Sequence, residues 1–277
     1  MELLVCLIFG LVIGSFLNVC IARIPIEESI VLPGSHCPKC QKPIAAYDNV
    51  PVLSYLILGG RCRSCKAPIS ARYPGVELLT GIVSVLLYLK FGFSVEWGIF
   101  LLFSAALITL AFIDLDHRIL PFVITVNGIW IGIVVNVALA RPSSFVSNLL
   151  NYFGYSGIQP RWISLLASLV GIIVCAGFLW LVAELVSRVL KKEAMGFGDV
   201  VIMAMIGAFL GMPLTLLTIL FASVLGSLVG GVGLLFAGKG RGYEWPFGTF
   251  IAFAGIAALL YGDAFIAWYI RYMFPSV

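Results

Sequence analysis

The sequence predicts an all-α protein that crosses a membrane several times. Of its 277 residues, 61% are hydrophobic and 11% are charged, and the mean hydropathy is +1.10. Apolar segments of about 20 residues, long enough to cross a hydrocarbon core of about 30 Å as a helix, recur along the chain. The alternation of polar and apolar residues that a β-barrel requires is not seen. This composition excludes an ordinary soluble domain, and the net charge of +4 gives no indication of nucleic-acid binding.

We expect about eight transmembrane helices. Residues 1–22 form the first, in which Gly10, Gly14 and Ser15 allow a neighbouring helix to pack closely. A polar loop follows at 23–75, and residues 76–277 form the remaining membrane domain. The expected spans lie at about 3–22, 76–91, 96–113, 122–140, 161–188, 199–211, 213–236 and 247–270. The segment 199–211 is short for a full crossing, and Pro213 marks its end.

The distribution of lysine and arginine predicts the orientation of these spans. With the N-terminus outside, 13 of the 17 basic residues fall on the cytoplasmic side and 4 on the opposite side. Short loops rich in basic residues stay in the cytoplasm. We therefore expect the loop 23–75, the turn 114–121, the connection 188–198 and the loop 237–246 to face the cytoplasm.

Four of the seven cysteines form two Cys-x-x-Cys pairs in the polar loop. They are Cys37, Cys40, Cys62 and Cys65. This spacing is typical of a structural zinc site, and a reducing cytoplasm disfavours disulfides. Because sulfur would fill all four positions around the metal, no position would remain for a substrate. The alternative is a set of reduced structural cysteines or a redox pair.

Two aspartates interrupt the apolar runs. Asp114 ends one run in Ile113-Asp-Leu-Asp, and Asp199 precedes another in Gly196-Phe-Gly-Asp. Ionisable residues are costly in such places and usually serve a function. Asp116 lies two residues after Asp114, so on a helix the two side chains point in different directions. We favour Asp114 as the functional one because it directly follows the apolar run.

Gly196 and Gly198 predict a loop beside which a substrate strand would lie. Glycine adopts backbone conformations that other residues avoid, and it allows a second chain to approach closely. The alternative is a simple helix break, with Asp199 as the N-cap of the following helix.

Two carboxylates on the same side of the membrane predict an aspartic dyad. Carboxylates brought together do not both ionise easily, so one is protonated and the other polarises a water molecule. The main alternative is a proton-coupled transporter, because paired acidic residues in membranes also relay protons. A zinc-bearing membrane scaffold without catalysis is a third interpretation.

In order along the chain, these motifs resemble the bifunctional type IV prepilin peptidase family, also called prepilin leader peptidase/N-methyltransferases. The resemblance covers nearly the whole chain. It is carried by Gly14-Ser-Phe-Leu-Asn-Val19, Arg23-Ile-Pro25, both cysteine pairs, Arg72-Tyr-Pro-Gly-Val-Glu77, Ile113-Asp-Leu-Asp116, Gly196-Phe-Gly-Asp199 and Pro246-Phe-Gly248.

The resemblance implies a multi-pass aspartic endopeptidase of the bacterial inner membrane. Such an enzyme cuts type IV prepilins and type II secretion pseudopilins on the cytoplasmic side, after the glycine that ends a short basic leader. It then methylates the new N-terminal residue with S-adenosylmethionine. The family's catalytic aspartates fall on Asp114 and Asp199. The family has a proline seven residues after its first catalytic aspartate, and Pro121 stands at that distance from Asp114, not from Asp116.

Three positions depart from the family pattern. Val201 stands where the family often has lysine, Phe122 where it often has aspartate or asparagine, and Thr249 where it often has proline. The chain has no glycine-rich dinucleotide-binding motif, so the sequence does not locate the methyl donor. Glu77 is a candidate for that site or, alternatively, an interfacial residue.

Overall fold

The computed structural model is built almost entirely from helices. It describes residues 1–141, 143–155, 157–192, 195–236 and 246–273, with the backbone alone for 233–236. Its helices are α1 (Glu2–Arg23), α2 (Leu53–Ile57), α3 (Arg72–Phe91), α4 (Val95–His117), α5 (Phe122–Leu139), α6 (Ser144–Tyr152), α7 (Pro160–Val170), α8 (Gly177–Leu190), α9 (Phe197–Phe236) and α10 (Phe247–Met273). A π-helical stretch, Gly171–Ala176, joins α7 to α8.

Within these described ranges, seven helical segments are long and apolar enough to cross a membrane. This confirms the predicted fold class, an all-α multi-pass membrane protein. The chain divides into two compact units, Met1–His117 and Arg118–Val277. The expected cytoplasmic loop 237–246 lies outside the described residues except for Pro246.

The difference between eight predicted spans and seven observed segments lies in α9. The segments 199–211 and 213–236 belong to one helix that is broken at Gly211, where φ is 70° and ψ is 175°. Only glycine adopts such a conformation readily. The break therefore comes two residues before Pro213, at the predicted end of the segment 199–211.

In the first unit, α1 and α3 approach each other through glycines. A Cβ atom on Gly10 would lie 2.7 Å from the Cα atom of Gly81, and one on Gly14 would lie 2.7 Å from the Cα atom of Glu77. No side chain fits at either position. This confirms the close packing predicted for Gly10 and Gly14, and it places Glu77 level with the middle of α1.

In the second unit, Pro213 removes a backbone donor next to the break in α9. The carbonyl of Phe209 would normally accept from residue 213, but Pro213 has no N–H group. Asn136 on α5 replaces the missing donor, with its side-chain nitrogen 3.1 Å from the carbonyl oxygen of Phe209. The same nitrogen lies 2.6 Å from the carbonyl oxygen of Ala208, which also accepts a hydrogen bond from the Ser168 hydroxyl at 2.9 Å. Side chains on neighbouring helices commonly satisfy such groups inside membranes.

We expect Asn136→Leu to lower the free energy of unfolding by about 1–3 kcal/mol. The Phe209 carbonyl loses its side-chain donor, whereas the Ala208 carbonyl keeps the Ser168 hydroxyl. Asn127, on the same helix, is exposed and donates to the carbonyl of Val123 at 2.7 Å, so Asn127→Leu should change stability by about 0.5 kcal/mol or less. Unfolding of the purified protein in detergent, followed by circular dichroism, measures both. Equal effects of the two substitutions would contradict this role for Asn136.

Candidate active site and metal centre

The two cysteine pairs come together in the loop of the first unit. Their four sulfur atoms lie within 4.8 Å of one another, and the sulfurs of Cys37 and Cys65 are 3.8 Å apart. Four sulfurs placed tetrahedrally at about 2.3 Å from a zinc ion are also about 3.8 Å from one another. The cluster therefore fits the metal site that the spacing predicts.

The two pairs have the same local fold. In each, the N–H group of the first cysteine, Cys37 or Cys62, donates to the carbonyl five residues later, at 3.0 Å and 2.8 Å respectively. The residue after the second cysteine, Gln41 or Lys66, has a φ of 58°. Each pair thus forms a tight turn that directs both sulfurs to the same side.

This backbone geometry favours thiolates, the form of cysteine that binds metals. Hydrogen bonds from the backbone N–H groups of Cys40 and Lys39 lower the pKa of Cys37 to about 6. The corresponding backbone hydrogen bonds of the second pair lower the pKa of Cys62. The first cysteine of each turn therefore has thiolate character. At Cys65 the N–H group of Ala67 also lowers the pKa, but burial and the three neighbouring cysteines outweigh it and raise the pKa to about 11.

An ion pair attaches the second cysteine turn to the segment before it. The guanidinium of Arg63 donates to both carboxylate oxygens of Asp48, at 2.7 Å and 2.6 Å. This bidentate contact holds the pKa of Asp48 below its usual value. Such paired hydrogen bonds are stronger than those of a single contact.

Asp114 lies in the last turn of α4, with 5% of its surface exposed. Asp116, by contrast, is on the surface, and its carboxylate accepts a hydrogen bond from Arg72. The Arg72 guanidinium also lies 5.4 Å from the ring centre of Phe112. The structure confirms that the two aspartates point in different directions, and it supplies Arg72 as the counter-ion of Asp116.

Asp199 lies in the first turn of α9, with 8% of its surface exposed. Because α9 begins at Phe197, Asp199 is inside the helix and is not its N-cap. Its backbone N–H group donates to the carbonyl of Gly196 at 3.1 Å. The alternative interpretation of Asp199 as an N-cap is therefore wrong.

The two glycines before Asp199 have different surroundings. Neither Gly196 nor Gly198 has a positive φ, so the unusual backbone conformation expected from the sequence is absent there. A Cβ atom on Gly198 would lie 3.0 Å from that of Leu120, whereas one on Gly196 would meet nothing within 4 Å. Gly198 allows Leu120 to approach closely, and Gly196 borders open space.

The three departures from the family pattern also differ in their surroundings. Val201 and Thr249 are buried in α9 and α10. Phe122 is exposed at the start of α5, and its ring packs edge-on against that of Phe197, with the centroids 6.4 Å apart. Phe122 therefore adds an aromatic side chain beside the segment that leads to Asp199.

The sequence does not predict the contacts that the Glu77 side chain makes. Its side chain is buried, and a carboxylate oxygen accepts a hydrogen bond from the N–H group of Val52 at 2.7 Å. Glu77 therefore holds the loop backbone at Val52. No sequence pattern indicates this contact, because the two residues are 25 positions apart. Glu77 belongs to the helix α3, whereas Val52 lies in the loop just before α2.

Comparison with known proteins agrees with the family that the sequence motifs indicate. A prepilin leader peptidase/N-methyltransferase of Stutzerimonas stutzeri is 36% identical over 96% of this chain and 93% of its own length. The chain belongs to the type IV leader peptidase family. Proteins of the same name from Pseudomonas aeruginosa and Legionella pneumophila are each 35% identical over 96% of this chain, and over 92% and 93% of their own lengths.

Two family models match separate parts of the chain. The Bacterial Peptidase A24 N-terminal domain matches residues 8–91, which contain the cysteine cluster, and the Type IV leader peptidase family matches residues 101–231, which contain Asp114 and Asp199. The family predicted from the motifs is confirmed, and the comparisons give no support to the transporter alternative. No solved structure matches the chain.

We expect Gly198→Ala to destabilise the start of α9 by about 1 kcal/mol, because the added methyl group overpacks against Leu120. Gly196→Ala is the matched control and should be close to neutral, since its methyl group enters open space. Thermal unfolding of the purified proteins in detergent compares the two. A larger loss for Gly196→Ala would contradict the assigned surroundings.

Proposed function

We propose that this protein is a bifunctional prepilin leader peptidase/N-methyltransferase. It cleaves the short basic leader of type IV prepilins and type II secretion pseudopilins after glycine, at the cytoplasmic face of the bacterial inner membrane. The proposal is carried by the full-length similarity to relatives of that name. It is supported by two aspartates in the peptidase segment that are buried despite the cost of placing carboxylates there.

We assign the catalytic pair to Asp114 and Asp199. Their pairing rests on the motifs and on the family. Asp199 lies at a helix N-terminus, where the helix dipole favours negative charge, and Asp114 lies at a helix C-terminus, where the dipole opposes it. This asymmetry favours the ionised form of Asp199, which then acts as the base, and the protonated form of Asp114, which then acts as the proton donor.

Peptide cleavage then proceeds by general acid and base catalysis. The Asp199 carboxylate removes a proton from water, and the water oxygen attacks the scissile carbonyl carbon. Asp114 donates its proton to the carbonyl oxygen. When the tetrahedral intermediate collapses, the C–N bond breaks and the leaving nitrogen accepts the proton held by Asp199. A hydroxyl group of the intermediate returns a proton to Asp114, so the roles of the two aspartates exchange. The open space beside Gly196 would accommodate the substrate backbone.

The substrate itself positions the cleavage point. The basic leader would stay in the cytoplasm, where the protein's own basic loops are expected, and the apolar pilin helix would lie in the bilayer. The glycine before the cut would thereby be held at the membrane boundary. Protein substrate and lipid are the partners that this arrangement requires.

We assign a structural zinc ion to Cys37, Cys40, Cys62 and Cys65. When bound, zinc ties the two cysteine turns together and supplies folding energy to a loop with little apolar core. On this view the chain comprises a first helix at 1–22, a zinc-binding loop at 23–75 and a membrane domain at 76–277. S-adenosylmethionine supplies the methyl group for the second activity.

We expect Asp114→Asn and Asp199→Asn each to reduce cleavage of a model prepilin by about 10³-fold or more, because each removes a proton-transfer group. Asp116→Asn is the matched control. It should retain cleavage, since an exposed ion pair such as Arg72–Asp116 contributes about 0.2–1 kcal/mol. Purified variants in lipid, assayed by mass spectrometry of the product, test this. An inactive Asp116→Asn with an active Asp114→Asn would reverse the assignment.

Metal analysis of the purified protein tests the zinc site. We expect about one zinc ion per chain, and loss of that zinc in Cys40→Ser/Cys65→Ser, which removes one ligand from each turn. Cys20→Ala changes a buried cysteine of α1 and should keep the metal. The zinc-free double variant should also become sensitive to proteolysis within 23–75. Normal zinc content in that variant would exclude the assigned ligands.

A further inference from the structure

The loop that follows α1 has an apolar tip, residues 30–32. The segment from Ser29 to Gly34 reads Ser-Ile-Val-Leu-Pro-Gly and contains no charged residue. Val31 is 74% exposed and Leu32 is 72% exposed, and Ile30 beside them is exposed as well. Neighbouring apolar side chains that the described part of the chain leaves uncovered indicate contact with a membrane or with another protein.

Hydrogen bonds inside the loop satisfy backbone groups around this tip. At the base, the buried Arg23 guanidinium donates to the carbonyls of Ser29 at 2.9 Å and Gly34 at 3.4 Å, and so joins the two ends of the segment. Nearer the tip, the Ser29 hydroxyl accepts from the N–H groups of Val31 and Leu32, each at 3.3 Å. Because these carbonyls and N–H groups have partners within the protein, moving the segment out of water costs less.

The tip lies beside the membrane-spanning part of the chain. A cavity of about 300 Å³ separates the loop from α1, and it is lined by Val12 and Phe16 on the helix and by Ile30 and Val31 on the loop. Val12 and Phe16 are exposed, and they belong to the first candidate span, Glu2–Ile26. In a bilayer this exposed face of α1 meets acyl chains. The tip therefore continues the surface that α1 presents to lipid.

The charged residues nearest to the tip lie outside it. Arg23, Glu27 and Glu28 come before the segment, and the next charged residue after it is Lys39. Segments that lie in a membrane interface bury their apolar side chains to a depth of about 5–10 Å while their charged groups stay in water. The acidic pair Glu27 and Glu28 opposes attraction to anionic lipid, so apolar contact has to supply the binding.

We propose that residues 30–32 insert into the membrane interface, in the leaflet at the Arg23 end of α1, with phospholipid acyl chains as their partner. The insertion gives the loop 23–75 an attachment to the membrane in addition to the two helices that it connects. Because Cys37 follows the tip closely in sequence, the inserted tip also holds the first cysteine turn near the membrane surface. This inference goes beyond the proposed function and does not depend on cleavage or methylation.

Fluorescence quenching from the lipid and from the water tests this insertion. The chain has six tryptophans, so the probe is a fluorescent amino acid that is excited where tryptophan does not absorb. It replaces Val31, Leu32 or Ser64 in separate proteins. Ser64 is the matched control, because it is an exposed residue of the same loop but lies between Arg63 and Lys66 in the second cysteine turn. Each protein is placed in phosphatidylcholine vesicles. One quencher is a nitroxide on the lipid acyl chains, and the other is iodide in the water.

We expect the lipid nitroxide to quench the probes at positions 31 and 32 at least about twofold more than the probe at position 64, because only the tip reaches the acyl chains. Iodide should give the opposite order. With the probe at position 31, Leu32→Asp should reduce lipid quenching to the level at position 64, since a carboxylate is costly in hydrocarbon. Leu32→Ile should leave the quenching unchanged. Thermal unfolding that matches the wild type shows that each variant is folded.

Three results would overturn the proposal. If iodide quenches the probes at positions 31, 32 and 64 equally and the lipid nitroxide quenches none of them, the tip lies in water. If neither quencher reaches positions 31 and 32, the tip is covered by protein and is an interface with a second chain. Lipid quenching that persists in Leu32→Asp would mean that apolar contact does not hold the tip at the membrane. None of these results bears on the proposed peptidase and methyltransferase activities.

Discussion

The cost of leaving a polar group unpaired in hydrocarbon is the constraint on which this structure depends. It explains why Asn136 lies against the break in α9, where its side chain donates to the carbonyls of Ala208 and Phe209 and replaces the donor that Pro213 lacks. It also gives Asp114 and Asp199 their significance, since a carboxylate buried beside long apolar runs is retained only where it serves a purpose.

A different constraint, the lack of an apolar core, shapes the loop that follows α1. A loop with few buried apolar residues does not fold on the hydrophobic effect alone. Here it has three polar attachments instead: the cysteine cluster, the Asp48–Arg63 ion pair and the contact between Glu77 and the backbone of Val52. The last of these ties the loop to a membrane helix, so the loop and the helices that carry it form one structure.

The sequence predicts those features that depend on composition or short spacing. Hydropathy locates the spans, the Cys-x-x-Cys repeats locate the metal cluster, and helical periodicity separates Asp114 from Asp116. It does not predict the contacts of Glu77 with Val52 or of Arg72 with Asp116, whose partners are 25 and 44 residues apart. A Gly-x-Gly pattern also does not show which property of Gly198 matters. In the structure Gly198 lacks a positive φ and instead allows Leu120 to pack closely against the backbone. These features depend on tertiary packing, which leaves no local pattern.

Chemistry sets the order of the two proposed activities. The nitrogen that accepts the methyl group is an amide in the uncut prepilin, and an amide nitrogen is a poor nucleophile because its lone pair is delocalised into the carbonyl. Cleavage therefore has to come first. The amine it releases stays attached to an apolar helix that cannot leave the bilayer, so a second site on the same chain meets it at a high effective concentration. Because both activities belong to one polypeptide, the cleaved pilin does not have to stay tightly bound between cleavage and methylation.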